Sequence, residues 1–311
     1  MNENIKYNLK IMNPKITIGL PVYNGEKFIK KCIESILNQT FLDFELLISD
    51  NASTDSTSEI CNEYASKDKR IRYSYNLKNI GGIENFKYLL DIAKGKYFMW
   101  IAADDLLGDK DYLKKMNNEI SDKYDFYFTE VSIIDENCKF KSQKIMKVFL
   151  NCKTNFDFLK ASLNQSSHFV YSLFKKEILI EDWQYIENCR NLLSFNEGLF
   201  VHAISAKRKA KFVKNTLKFF RFHNKSWSQS IKARKLIFSH TIYSFKTINF
   251  ILRLNKLTFL KKIHLSNLAL YVLIKNLILF ILATIWQLLS LNKFAYFEKL
   301  KKKYYQKKNN Y

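Results

Sequence analysis

What most constrains the fold of this chain is a short apolar run that ends in charge. Tyr97 to Ala103 (YFMWIAA) carries no charged side chain and empties into two adjacent carboxylates, Asp104 and Asp105. A run of that length predicts a buried strand. A strand covered on both faces cannot keep unpartnered carboxylates inside, so the pair belongs where the strand leaves the sheet. In an open parallel sheet that carboxyl end is where ligands bind. Two acids there suit a hard divalent cation bridging to phosphate oxygens. A turn or a helix N-cap would use the same residues, because Asp is favoured in both.

The segments before this run repeat one pattern. Lys15 to Leu20 (KITIGL) predicts a first strand, stopped by Pro21, and Asn24-Gly25 makes a turn. Phe28, Ile29, Cys32, Ile33, Ile36 and Leu37 recur at helical spacing, predicting a helix from Glu26 to about Gln39. Phe44 to Ser49 is a second apolar run, closing on Asp50 and Asn51; Ser53, Thr54 and Asp55 offer N-caps for a helix through Ile60, Cys61 and Tyr64. Ile71 to Tyr75 predicts a third strand, and Asn79-Ile80-Gly81-Gly82 breaks the chain before a helix with Phe86, Leu89, Leu90 and Ala93 on one face. A strand and a helix three times over, then a strand, is the signature of a doubly wound α/β sheet. Polar residues fall at three equivalent strand ends: Tyr23/Asn24, Asp50/Asn51 and Asp104/Asp105. The first turn, LPVYNGEKF, holds neither GxGxxG nor GxxxxGK[ST], which argues against a dinucleotide fingerprint or a P-loop.

Charge and cysteine usage bound the setting. Residues 1–110 carry 15 Lys+Arg against 15 Asp+Glu, 111–200 carry 12 against 13, and 201–311 carry 24 against 1, so the net charge of +22 lies in the last third. Five widely spaced cysteines without a CxxC favour reduced thiols over disulfides or a zinc site. The N-terminus lacks the apolar core of a signal peptide.

Four motifs together resemble a known family. PVYN at 21–24, ELLISDNASTD at 45–55, NIGG at 79–82 and KYFMWIAADD at 96–105 resemble, in order and spacing, the nucleotide-binding half of family 2 inverting glycosyltransferases of the GT-A fold. The resemblance implies an α/β fold with a GT-A type doubly wound mixed sheet. It also implies a nucleotide-sugar donor, with a uridine donor favoured, and Mg²⁺ or Mn²⁺ as cofactor. Pro21, Val22, Tyr23, Asn24 and Glu26 would line the base and ribose, Asp50 and Asn51 would meet the base, and Asn79, Gly81 and Gly82 would complete that side. Asp104 and Asp105 would hold the metal on the diphosphate, with Asp105 the preferred ligand. Two positions depart from the family pattern. Asn51 stands where many members have the acid that pairs with the base, and Ala102 stands where the first acid of DxDD would fall.

The middle of the chain supplies the acceptor side on this reading. Asp125 to Ile134 and Ser167 to Phe174 are predicted strands. Counting back from Arg221-Phe222-His223, which resembles the family's R-x-H motif, places Glu197 on the catalytic base. One carboxylate there would take the acceptor hydroxyl's proton during in-line attack; a surface Glu at a helix start is the alternative. Arg221 and His223 are candidates for diphosphate contact. His168, His202, His240 and His264 lack ligand spacing, and Asp182-Trp183 reads as structural.

The expected division is an extension over 1–14, a GT-A domain over 15–230 (donor half 15–110, acceptor half 111–230) and a basic, apolar helical region over 231–311. Leu268 to Leu291 approaches the length of a membrane span, but Lys275 interrupts it, leaving about fifteen uncharged residues against the roughly twenty a span needs. An anchor in or on an anionic membrane is expected, placing the enzyme at the cytoplasmic face of the cell membrane with a glycan or lipid-linked acceptor. A helical subdomain packed on the protein is the alternative. A nucleotidyltransferase, or a basic nucleic-acid or membrane-binding protein without catalysis, are the competing functions. The aliphatic character of the basic third argues against nucleic acid as partner.

Overall fold

The computed structural model describes residues 13–144, 152, 154–164, 169–187, 198–223, 247–254, 258–271, 274 and 278. The chain forms two compact units, Met1–Asn191 with Phe195–Ser226, and Leu192–Ser194 with Trp227–Tyr311.

In chain order the first unit comprises β1 (Ile16–Val22), α1 (Ile29–Leu37), β2 (Phe44–Asp50), α2 (Thr57–Lys67), β3 (Ile71–Tyr75), α3 (Gly82–Ile92) and β4 (Tyr97–Trp100). There follow β5 (Leu106–Leu107), α4 (Tyr112–Glu119), β6 (Phe126–Ile134), β7 (Phe140–Lys144), α5 (Asn155–Asn164), β8 (Leu173–Lys175), α6 (Lys176–Glu187), α7 (Gly198–Lys207) and β9 (Ala210–Arg221). The strands form one sheet in the order β3-β2-β1-β4-β8-β6-β9-β5, with β7 beside β6. Pairing among the first four strands is parallel, as the repeat requires. β8 joins the two halves antiparallel to both β4 and β6, and β9 runs parallel to β6 and antiparallel to β5.

Side-chain alternation along the strands builds a core on each face. Ile16, Ile18, Leu20, Tyr97 and Met99 face one side, where Cys32, Ile33 and Ile36 of α1, Cys61 of α2 and Leu113 of α4 pack. Phe98 and Trp100 face the other, against Leu89 and Leu90 of α3, Trp183 of α6 and Phe200 of α7. Gly19 makes room on that second face, because a Cβ there would lie 2.6 Å from the Phe98 ring. A second glycine permits a closer approach of backbone. Gly108 N donates to Leu217 O at 2.8 Å, and a Cβ on Gly108 would lie 2.1 Å from that oxygen.

Three predicted elements differ. The first strand does not stop at Pro21 but runs on to Val22, because Pro21 and Val22 stay in register with Ser49 and Asp50 of β2. The first helix starts at Ile29 rather than Glu26, since residues 25–28 close a turn in which Phe28 N and Ile29 N both donate to Gly25 O at 3.0 Å. The strand expected over 167–174 shortens to β8, preceded by a 3₁₀ turn at Phe169–Tyr171; His168 lies outside the described residues. That turn buries Val170 and sets the Tyr171 ring 4.1 Å from Lys218 Nζ, a cation contact that strand alternation would not provide.

In the second unit, helices over 247–252 and 259–271 are linked by Lys262 Nζ donating to Leu252 O at 3.0 Å. Most of 268–291 lies outside the described residues. Among those described, no helix is long and apolar enough to cross a membrane.

Two outcomes test this packing. Gly108→Ala is expected to destabilise the unit by about 1–3 kcal/mol or more, because the colliding atom is backbone, read as a lowered urea midpoint. His202 is buried on α7 with Nδ1 2.9 Å from Ser162 Oγ of α5, and burial drives its pKa from 6.5 down to about 3. The unfolded chain therefore takes up a proton below 6.5 that the folded chain refuses. The contribution is complete above that pH and is lost as pH falls toward 3, by about 2 kcal/mol at pH 5. Urea melts at pH 7 and pH 5 should differ by that much less in His202→Asn.

Candidate active site

The polar residues predicted at three strand ends do converge on one edge of the parallel half. At the first, β1 ends at Val22 and the chain turns through Asn24, held at φ 51°. Asn24 N donates to Ser53 Oγ at 2.8 Å, and Asn24 Oδ1 accepts from Thr54 N at 2.8 Å. Glu26 Oε2 accepts from Ser56 N at 3.0 Å, and Glu26 N donates to Asp55 Oδ2 at 3.2 Å. These bonds join the loops after β1 and β2 into one wall. Tyr23 stands out from it, half exposed, while Pro21 and Val22 remain within β1.

The second strand end is more deeply built than the sequence indicates. Asp50 is fully buried, with Oδ1 accepting from Ser53 N at 2.8 Å and Oδ2 from Tyr73 OH at 3.1 Å. It organises the turn and does not face solvent. Asn51 Oδ1 accepts from Ile80 N at 2.9 Å and Asn76 Nδ2 at 3.3 Å, and Asn51 Nδ2 donates to Asn79 Oδ1 at 3.0 Å. Asn79 Oδ1 also accepts from Gly81 N at 2.9 Å, and Gly81 holds φ 88° where α3 begins. Asn76 Nδ2 reaches Asn85 Oδ1 at 3.2 Å, and Asn85 pairs with Ser49. Asn76, Asn85 and Tyr73 escaped the sequence reading because none sits in a motif; the polar residue buried on an apolar helix face, Asn85, was the available signal.

The third strand end separates its two acids. Residues 102–105 form a turn, with Asp105 N donating to Ala102 O at 3.0 Å, so the turn foreseen as the alternative is the local structure. Asp105 points inward and is completely buried. Its Oδ1 accepts from Arg221 N at 3.2 Å, and its Oδ2 lies 3.4 Å from Lys218 Nζ. Burial drives the Asp105 carboxyl up and the Lys218 ammonium down, and the attraction between them opposes both shifts. Asp104 points outward. Its side chain is 26% exposed, and its Oδ2 lies 3.0 Å from His223 Nε2.

Arg221 and His223 flank this turn, as expected of a motif near the site, but they differ in role. Arg221 is fully buried, with Nε donating to Asp104 O at 2.8 Å and Nη1 to Asp135 O and Glu136 O at 3.0 Å. A guanidinium so committed to backbone carbonyls is a clamp on the turn rather than an open phosphate contact. His223 packs on Phe28, ring centroids 4.7 Å apart, and Arg221 Cζ lies 4.8 Å from the same ring. Lys218 and Phe28 were both missed: an isolated lysine in a basic region carries no signal, and Phe28 reads as an ordinary helix residue. Glu197 lies outside the described residues.

The donor set fits a divalent cation only in part. Among the described residues no group of three or more His, Cys, Asp or Glu side chains converges. Asp104, with His223 beside it, offers one carboxylate at the surface. That matches a Mg²⁺- or Mn²⁺-type ion that takes most of its ligands from substrate phosphates and water.

Comparison with known proteins identifies what this edge belongs to. The model of "Glycosyl transferase family 2" matches residues 17–183, from β1 through α6. The uncharacterized glycosyltransferase MJ1057 of Methanocaldococcus jannaschii is 30% identical over 239 residues, 75% of this chain and 79% of that protein. The minor teichoic acid biosynthesis protein GgaB of Bacillus subtilis is 28% identical over 247 residues, but this chain spans only 26% of its length. In fold, the chain is similar to S. aureus TarS 1–349 in complex with UDP-GlcNAc, with a TM-score of 0.61 and 19% identity over 81% of this chain and 70% of that one. It is also similar to the mannosyltransferase PcManGT from Pyrobaculum calidifontis in complex with GDP-Man and Mn²⁺, with a TM-score of 0.55 and 15% identity over 91% and 82%. The strand order, the polar edge and a family match over more than half of the sequence agree: this chain belongs to glycosyl transferase family 2.

Proposed function

We propose that the chain transfers a sugar, of hexosyl or N-acetylhexosaminyl type, from a nucleoside diphosphate donor to a glycan or lipid-linked acceptor, with inversion and with Mg²⁺ or Mn²⁺. The observation that carries this reading is the division of labour between the two acids. Asp104 is open at the strand end beside His223, while Asp105 is closed beneath it. Asp104 is therefore assigned the metal-facing role that the sequence favoured for Asp105, and His223 is its neighbour on the diphosphate side. When bound, the metal neutralises charge developing on the departing diphosphate.

The protein's own groups do the rest. The joined loops after β1 and β2, with Tyr23 exposed at their rim, receive the nucleoside. Arg221 and the Asp105–Lys218 pair hold the 102–105 turn so that Asp104 needs no reorganisation when charge develops. Glu197, immediately before α7 in sequence, is assigned the base: it takes the acceptor hydroxyl's proton as the oxygen bonds to the anomeric carbon and the bond to the diphosphate oxygen breaks. The relation to GgaB supports surface-glycan biosynthesis as the setting. The exposed Phe259 and Leu260 beside Lys261 and Lys262, with Tyr271 exposed further along the same helix, support docking of the second unit on an anionic membrane surface, at the cytoplasmic face on this reading.

Screening nucleotide sugars for Mn²⁺-dependent turnover tests the reading directly, and silence across the panel overturns it. Asp104→Ala should lower kcat by roughly 100-fold or more while leaving the melting temperature unchanged. Asp105→Asn behaves differently, because it strands a buried lysine without a counter-charge, a loss of about 3–5 kcal/mol of stability. An Asp104→Ala enzyme with normal metal-dependent turnover would remove Asp104 from the site. Glu197→Gln should lose kcat with little change in donor KM, and near-normal turnover would exclude it as the base.

A further inference from the structure

The first unit carries an apolar and basic tip of its own beside the active edge. We infer that the β6–β7 hairpin, with the exposed lysines at the start of α1, docks this unit on an anionic bilayer surface through Phe140 and the ammonium groups around it. This docking rests on the proposed function only in that the acceptor is held at a membrane.

After β6 the chain turns through residues 135–139 into β7. Asp135 Oδ1 accepts from Asn137 N at 3.0 Å and from Lys139 N at 2.9 Å, Cys138 N donates to Asp135 O at 3.1 Å, and Cys138 takes φ 64°. The next three side chains, Lys139, Phe140 and Lys141, are all exposed. Phe140 is 62% exposed, more than any other aromatic residue described in this unit. It pairs with Ile134 of β6, whose partner on the other side is Arg221 of β9, and Phe222, also exposed, follows directly. Two exposed aromatic residues therefore stand at one end of the sheet, on the strands either side of β6.

The start of α1 adds cations to this tip. Lys27 pairs with Glu136, and Lys31 Nζ lies 3.8 Å from Cys138 Sγ. Lys141 Nζ lies 3.1 Å from Asp135 Oδ2. Lys31 and Lys139 meet no carboxylate among the described residues, so with Lys27 and Lys141 paired the tip is left positive. Arg221 ties it to the active edge: Nη1 donates to Asp135 O and Glu136 O at 3.0 Å while Nε donates to Asp104 O at 2.8 Å. The tip is thus preformed, and docking does not have to order a loop.

The chemistry of the tip selects its partner. A soluble polyanion would be met by the ammonium groups alone and would leave the phenyl rings in water. A second copy of the chain would bring the same positive tip against this one. An anionic bilayer accommodates both parts, because a ring enters the boundary between headgroups and acyl chains while lysines stay at the charged surface. Docking there brings the edge that carries Asp104 close to the membrane.

The test is sedimentation of the full chain with vesicles of phosphatidylcholine, with and without phosphatidylglycerol. Binding should require phosphatidylglycerol, and equal binding without it overturns the anionic surface as partner. Phe140→Ser should weaken binding about 10-fold. Lys31→Glu combined with Lys139→Glu should weaken it by roughly 10-fold or more. Melting temperatures should not change, because all three side chains are exposed. If these variants bind vesicles as the parent does while Phe259→Ser with Leu260→Ser loses binding, the hairpin is not a docking site and docking by the second unit stands. Normal vesicle binding by Phe140→Ser with loss in the lysine variant marks a site for a soluble polyanion and overturns the bilayer assignment. Failure of the parent chain to bind any vesicle removes membrane docking from both units and leaves the transferase reading to the nucleotide-sugar screen.

Discussion

The active edge depends on a charge pair that never meets water. Asp105 and Lys218 lie 3.4 Å apart, Asp105 wholly buried and the lysine side chain 5% exposed. Removing both charges from solvent is unfavourable by several kcal/mol each, and such a pair seldom adds net stability over apolar residues of similar size. What it supplies is register. With Arg221 N on Asp105 Oδ1 and Arg221 Nε on Asp104 O, it fastens the exit of β4 to β9, segments more than a hundred residues apart in sequence. That fastening places His223 against Asp104, and Phe28 at the start of α1 completes the arrangement by lying against both Arg221 and His223.

The second strand end solves a similar problem with neutral groups. Five polar side chains, Ser49, Asn51, Asn76, Asn79 and Asn85, form a connected set of bonds to one another and to the backbone of 80–81. Half-satisfied buried networks are unfavourable, whereas satisfied ones specify a single arrangement. Asn suits this better than Asp, because each amide both donates and accepts, and no charge is left to balance beside the buried Asp50.

The parallel half was legible in the sequence because its strands are buried on both faces and its helices on one, so periodicity alone separates them. The runs at 15–20, 44–49 and 97–103 needed no tertiary information to be read as strands, whereas the continuation of β1 through Pro21 to Val22 comes from its pairing with β2. The polar residues at the strand ends were legible as a group for the same reason. Their individual orientations were not. Nothing in the string DD distinguishes an inward from an outward carboxylate, since the choice is made by Lys218 and Arg221 on a distant strand. The same holds for Asp50 and Arg221, which look functional in sequence and are consumed by Tyr73 OH and by main-chain carbonyls. The 169–171 turn was misread because FVYSLF holds a single polar residue, Ser172, and neither Gly nor Pro, leaving little signal against a strand.

The departure at Ala102 follows from this charge balance. Ala102 O accepts from Asp105 N at 3.0 Å and lies 3.5 Å from Cys32 Sγ, whose thiol is pushed well above its ordinary pKa by burial and the nearby Asp105. A third carboxylate at 102 would add negative charge to a turn whose buried ammonium, Lys218, is already matched by Asp105. With alanine there, Asp104 is left as the carboxylate at the surface, and His223 beside it is a neutral or cationic neighbour rather than another anion. On the proposed reading this makes the protein a weak metal site by itself. A hard cation held there through Asp104 alone would need its remaining ligands from phosphate oxygens and water, so on this reading the carboxylate would hold the metal together with the donor diphosphate.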